Sequence, residues 1–190
     1  MPAADELATY IIPCLFRSPQ IAEYHRELVD SIADGFGYTF TGRQRIPAHF
    51  TLKYHFTTGE IARVEALLEQ FVSRHPPTPV ELGGFGHFDE NVVFVEVRLS
   101  DDAKRVLSGL TAVLRTLPWM PWSAHDAENL RPHMTVVEFC RPRFTEVWEW
   151  VKTRERHFPA ELDNVTILRK AGEEDGIALW AVHRSFTLVG

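Results

Sequence analysis

Runs in which apolar and polar residues alternate are followed by runs in which apolar residues recur every three or four positions, and these two periods divide the chain into strands and helices. "ATYIIPCLF" (Ala8 to Phe16) reads as a strand, and Ser18 with Pro19 supplies the N-cap and first-turn signal of a helix. Ile21, Tyr24, Leu28, Val29 and Ile32 form one apolar stripe on that helix, which Gly35 is placed to end. Beyond the connection "GFGYTFTGRQRIP", the stretch around His49 alternates as a half-buried strand. Thr57 and Glu60 then stand at capping-box spacing ahead of a second helix marked by Ile61, Val64, Leu67, Leu68 and Phe71. "RHPPTP" breaks it, and "PVELGGFGHF" and "NVVFVEVRL" read as strands around the turn residues Asp89, Glu90 and Asn91. Ser100 is placed to cap a third helix carrying Val106, Leu110, Val113 and Leu117, ending near Pro118.

The second half runs through a similar order: a strand opened by His133, a helix around "FTEVWEWVKTRERHF", a strand "AELDNVTIL" and a last strand "IALWAVHRSFTLV". His49 and His133 are 133 − 49 = 84 positions apart, and "PVEL" at Pro79 and "PAEL" at Pro159 are 159 − 79 = 80 apart. This recurrence predicts an internal duplication. The expected fold is α+β and bilobal, with two pseudo-two-fold-related lobes of mainly antiparallel sheet, outer helices and a central cleft. Residues 1–190 are expected to form a single domain of two intimately packed lobes, and 45% hydrophobic residues suffice for its core.

Side chains two apart on a strand share a face, roughly 6.5 to 7 Å from one another. His49, Thr51, Lys53 and His55 are therefore expected on one side of their strand, with Phe50, Leu52, Tyr54 and Phe56 opposite. In the second copy His133 and Thr135 share one side, with Met134 and Val136 opposite. Two lobes facing each other would present two imidazoles and two hydroxyls to one cleft. That set suits phosphodiester cleavage, in which one group takes a proton from the attacking oxygen and another protonates the departing one. Histidine does either near neutral pH, while threonine hydroxyls donate hydrogen bonds to non-bridging oxygens without adding negative charge.

"HFTL" at His49 and "HMTV" at His133, each after a proline-containing approach and at the start of a strand, resemble the paired motifs of the 2H phosphoesterase superfamily. The likeness is to its 2'-5' RNA ligase-like proteins and its phosphodiesterases acting on 2',3'-cyclic phosphates. It implies metal-independent hydrolysis or transesterification at a cyclic phosphate, an RNA terminus or a 2'-5' phosphodiester, with no cofactor. By position, His49 and His133 match the catalytic histidines, and Thr51 and Thr135 the phosphate-binding hydroxyls. The acid and base roles stay open between the two histidines.

Lys53 is a further candidate phosphate contact, against the alternative of a solvated strand-end lysine. Arg131 precedes Pro132, which favours extended backbone and carries Arg131 to the face of His133 as a candidate substrate contact. Arg43 and Arg45 are candidates for a local basic rim, although loop arginines are more often simply exposed. His55 is assigned to a structural or solvent-facing place. Trp119 and Trp122 are weighed as base-stacking groups against the preferred reading of a hydrophobic lid. Trp148 and Trp150, two apart on a helix, take different faces.

A formal charge of −6 argues against a protein that coats long nucleic acid, so the expected partner is a nucleotide or a short RNA terminus. Two cysteines, Cys14 and Cys140, fit a reducing compartment, and no stretch approaches a membrane span. A cytoplasmic protein, expected as a monomer, is the result. Two rival functions are a non-catalytic nucleotide- or RNA-end-binding module and a metal-dependent phosphohydrolase using His125 and Asp126. No His-Glu-x-x-His helix or regular ligand spacing supports the second.

Overall fold

The structure, a computed structural model, describes residues 7–124, 126 and 129–190. The chain order is β1 (Ala8–Leu15), α1 (Pro19–Phe36), a short α2 (Phe40–Arg43), β2 (His49–Thr58), α3 (Ile61–Val72), β3 (Thr78–Phe88), β4 (Val92–Leu99), α4 (Asp101–Leu114), β5 (His133–Glu138), α5 (Phe144–Lys152), β6 (Phe158–Leu162), β7 (Asn164–Glu174) and β8 (Ile177–Thr187). The strands form two four-stranded antiparallel sheets, ordered β2-β1-β7-β8 and β5-β4-β3-β6. This is the expected α+β, bilobal arrangement. One hydrophobic core runs through both sheets.

The apolar stripe of α1 is buried as its spacing predicts, but the helix ends later than Gly35, at Gly37, whose φ of 81° is left-handed and whose N–H bonds to Ala33 O at 2.9 Å. Ser100 caps α4 by accepting from Ala103 N at 3.1 Å. The Thr57–Glu60 capping box does not form: β2 extends through Thr58, whose Oγ1 accepts from Glu60 N at 2.9 Å. "AELDNVTIL" is two strands rather than one, with β6 ending at Leu162 and β7 beginning at Asn164.

The repeat is real but differently framed. "PVEL" and "PAEL" are not equivalents in two lobes; they are cross-strand neighbours in one sheet, with Pro79 opposite Glu161 and Val80 opposite Ala160. The repeating unit is strand–helix–strand, β1-α1-β2 against β4-α4-β5. Ala8 and Val92 open β1 and β4, Leu15 and Leu99 close them, and both pairs share the 84-residue offset of the two histidines. Within each unit the two strands lie side by side, with the histidine strand at the sheet edge. A strand-helix-strand-strand order can be framed from several starting points, which is why the linear pattern mispaired the two tetrapeptides. The lobes are accordingly not the two halves of the polypeptide, because β7 and β8 return to the sheet of β1 and β2.

Edges β2 and β5 approach each other. Both cysteines are free and buried. Among the described residues no helix is long and apolar enough to cross a membrane.

Candidate active site

Where β2 and β5 meet, a cavity of about 470 Å³ opens between the sheets, within the usual range for a small-molecule site. His49, Thr51, His133 and Thr135 all line it. The two motifs are matched along their length. From His49 to Tyr54 and from His133 to Glu138, the residues run half-buried, buried, half-buried, buried, buried, half-buried. Phe50, Leu52, Met134 and Val136 hold the strands in the core while the histidines and threonines face the cavity.

Both imidazoles are held in the same way. His49 Nδ1 lies 2.8 Å from Pro47 O, and His133 Nδ1 lies 2.6 Å from Arg131 O. A carbonyl only accepts, so each Nδ1 carries a proton and each neutral ring leaves Nε2 as its basic atom. Desolvation in the cavity is the main influence on His49, lowering its pKa to about 4. The Pro47 hydrogen bond works against this, and the nearby His25 and His133 add to it. His133 is also lowered, first by desolvation and then by the Arg131 charge, against its bond to the Arg131 carbonyl. Both rings are neutral at pH 7 in the unliganded protein.

His25, which the sequence reading passed over, joins them. It projects from α1 into the cavity, and its Nε2 donates to Thr135 O at 2.9 Å, tying the helix of one repeat to the histidine strand of the other. Its helical position beside the buried Tyr24 was a packing signal, with nothing in the local spacing to connect it to residue 135.

Lys53 does not reach the cavity. It is 1% exposed, and its ammonium donates to Asp126 Oδ2 and Tyr54 O, both at 3.1 Å, with the Trp122 ring 5.0 Å away. The cause is a bulge. Thr51 pairs with Pro13 but Lys53 with Ile12, so Leu52 is an extra residue that shifts the alternation. A matching slip in β5 makes Val136 the extra residue. Lys53 therefore occupies the buried place of Val137 in the other motif, and Tyr54, expected in the core, turns into the cavity opposite Glu138. Both are five positions beyond their histidines.

Asp126 makes the buried lysine tolerable. Besides Lys53 it accepts from Tyr54 N at 3.0 Å, Ser123 N at 2.8 Å and Ser123 Oγ at 2.9 Å. Desolvation raises its pKa, yet the hydrogen bonds from Ser123, Tyr54 and Lys53 outweigh this and hold it below the ordinary carboxylate value. The proposed metal partner His125 lies outside the described residues, while Asp126 is committed to this structural role.

Arg131 lines the cavity beside His133, as its extended approach implied. Its guanidinium bonds to Glu96 at 2.7 Å and lies 5.0 Å over Phe94 and 5.5 Å over Phe88. His55 also lines the cavity, with its ring 5.4 Å from Trp180, and so belongs to the site wall. Arg43 and Arg45 pair with Asp175 at 2.6 Å and Glu174 at 3.5 Å at the β7–β8 turn. Trp119 packs on the core beside Phe56, and Trp122 covers Lys53, so these rings act as a lid. Trp148 contacts His87 and Phe144, and Trp150 contacts Phe36, on separate faces.

The family model described as the 2'-5' RNA ligase superfamily matches residues 18–174. Among solved structures, TT0787 of Thermus thermophilus is similar at a TM-score of 0.69 and 17% identity, covering 95% of this chain and 97% of that one. Escherichia coli LigT complexed with 3'-AMP matches at a TM-score of 0.62 and 14% identity, covering 97% and 100%. At these identities the likeness is one of fold. No curated protein sequence matches the chain.

Proposed function

The chain belongs to the 2'-5' RNA ligase superfamily, and from that membership we propose that it is a metal-independent phosphodiesterase acting on a 2',3'-cyclic phosphate or a related RNA-terminal or 2'-5' phosphodiester. The observation that carries this reading is the pair of identically clamped imidazoles on one cavity. In hydrolysis, Nε2 of one histidine removes a proton from water as the water oxygen bonds to phosphorus. The other histidine gives its Nε2 proton to the ribose oxygen whose bond to phosphorus breaks. The ring opens to a phosphomonoester, and the two histidines end with their protonation states exchanged.

This exchange needs one charged ring, whereas both are neutral in the unliganded cavity. The anionic phosphate supplies the remedy, because a negative charge beside an imidazole favours its protonated form. Thr51 and Thr135, which line the same cavity, are assigned to the non-bridging oxygens. Arg131 is assigned to the phosphate rim. A nucleotide partner agrees with LigT having been seen with 3'-AMP.

The test is turnover of 2',3'-cyclic nucleotides, 2'-5'-linked dinucleotides and RNA ending in a cyclic phosphate, each with and without chelator. Hydrolysis of at least one class, unaffected by chelator, is expected. Binding without turnover would favour an RNA-end-binding module, and activity abolished by chelator and restored by a divalent metal would favour a metal-dependent phosphohydrolase.

A further inference from the structure

The two bulges deliver a second matched pair to the cavity, Tyr54 from β2 and Glu138 from β5, and phosphate chemistry uses neither. Glu138 is the more unusual. Among the described residues no hydrogen bond or ion pair engages its carboxyl group, and desolvation raises its pKa. Its charge is felt by Tyr54, whose pKa is raised by burial, then by Asp126 and then by Glu138. Glu138 is half-buried on the cavity wall, so its carboxyl oxygens are open to a ligand that enters the cavity.

Its place fixes what that ligand offers. An ionised carboxylate repels phosphate, so an anionic group is directed to the other end of the motif, where His133, Thr135 and Arg131 stand. Thr135 stands opposite Phe94 and Glu138 opposite Val92, so two β4 residues, roughly 6.5 to 7 Å of strand, separate the threonine end of the motif from its carboxyl end. Ile46 and Trp180, members of a small apolar cluster, line the same cavity and supply walls for a flat ring.

Resting on the nucleotide reading above, we propose that Glu138 reads the base and selects guanine. The guanine edge presents two adjacent donors, N1–H and the N2 amino group, to the two oxygens of one carboxylate. Adenine and cytosine present one amino donor beside an acceptor nitrogen. Uracil presents one N–H flanked by two carbonyl oxygens, which a carboxylate repels.

Calorimetric binding of 3'-GMP, 3'-AMP, 3'-CMP and 3'-UMP to wild type and to Glu138→Gln tests this without relying on turnover. The wild type is expected to bind 3'-GMP tightest and 3'-UMP weakest. Glu138→Gln, which keeps the shape but loses one acceptor, is expected to weaken 3'-GMP roughly ten- to hundredfold, the usual range for a bidentate base contact, and to leave 3'-UMP unchanged or improved. An unchanged ranking, an equal loss for all four nucleotides, or no nucleotide binding by wild type would overturn the proposal. Parallel turnover of the matching cyclic phosphates separates the two readings: a guanine ranking in binding with no turnover leaves the base subsite standing and removes the phosphodiesterase.

Discussion

His49 and His133 each donate the Nδ1 proton to a carbonyl two residues earlier, and this bond fixes both the ring orientation and Nε2 as the free basic atom. The depressed pKa values have a kinetic consequence. For both groups the neutral form is favoured, so the state with one ring charged and one neutral is populated in free protein only below the ordinary histidine value of about 6.5. The kcat/KM profile is therefore expected to peak on the acid side of pH 6.5 and fall as pH rises towards 8. The kcat profile, which reports the complex, is expected to peak at higher pH because bound phosphate raises one of the two pKa values. A kcat/KM that climbs steadily from pH 6 to 8 would contradict this assignment. His49, Thr51, His133 and Thr135 were legible in the sequence because strict alternation holds over the first four residues of each motif. His25 was not, since its partner lies 110 positions away and is a backbone oxygen that no residue type advertises.

At the scale of elements, the bulges in β2 and β5 decide which side chains reach the cavity. One extra residue after each threonine buries Lys53 and Val137 and exposes Tyr54 and Glu138 to the cleft. Two-residue periodicity cannot reveal a bulge, so it points Lys53 to the His49 face, as a candidate phosphate contact or a solvated lysine, and Tyr54 to the core. The Lys53 position also needed Asp126, 73 positions away, to be intelligible. Lys53→Met is expected to destabilise the fold by about 3–5 kcal/mol in chemical denaturation, the usual cost of leaving one member of a buried ion pair alone. A phosphate-binding lysine would behave oppositely, with KM raised and the denaturation midpoint unmoved. Asp126 adds a pH dependence of known sign. Its native pKa is lowered, so its stabilisation is present above the unfolded value of about 3.9 and lost as pH falls through the native one. Asp126→Asn is expected to lose stability at neutral pH and to show a shallower acid limb below about pH 4.

For the molecule as a whole, the duplicated strand–helix–strand unit accounts for a site shared between two sheets. Each copy places its histidine strand at a sheet edge, and bringing those edges together forms the cavity. The offset between the histidines revealed the duplication, because β1 and β4 keep the same spacing. The sheet partners of each unit were hidden, since β7 and β8 join the first sheet from the far end of the chain. If the two imidazoles serve one phosphorus atom, their contributions are not independent, because removing either proton carrier disables the shared step. The most direct measurement is kcat for a 2',3'-cyclic nucleotide in wild type, His49→Ala, His133→Ala and the double variant, with chelator present and folding verified. Each single substitution is predicted to cost roughly a hundred- to ten-thousandfold, with the double variant little worse than either. Undiminished turnover in either single variant, or a double variant whose loss is the product of two separate losses, would contradict the paired-imidazole account.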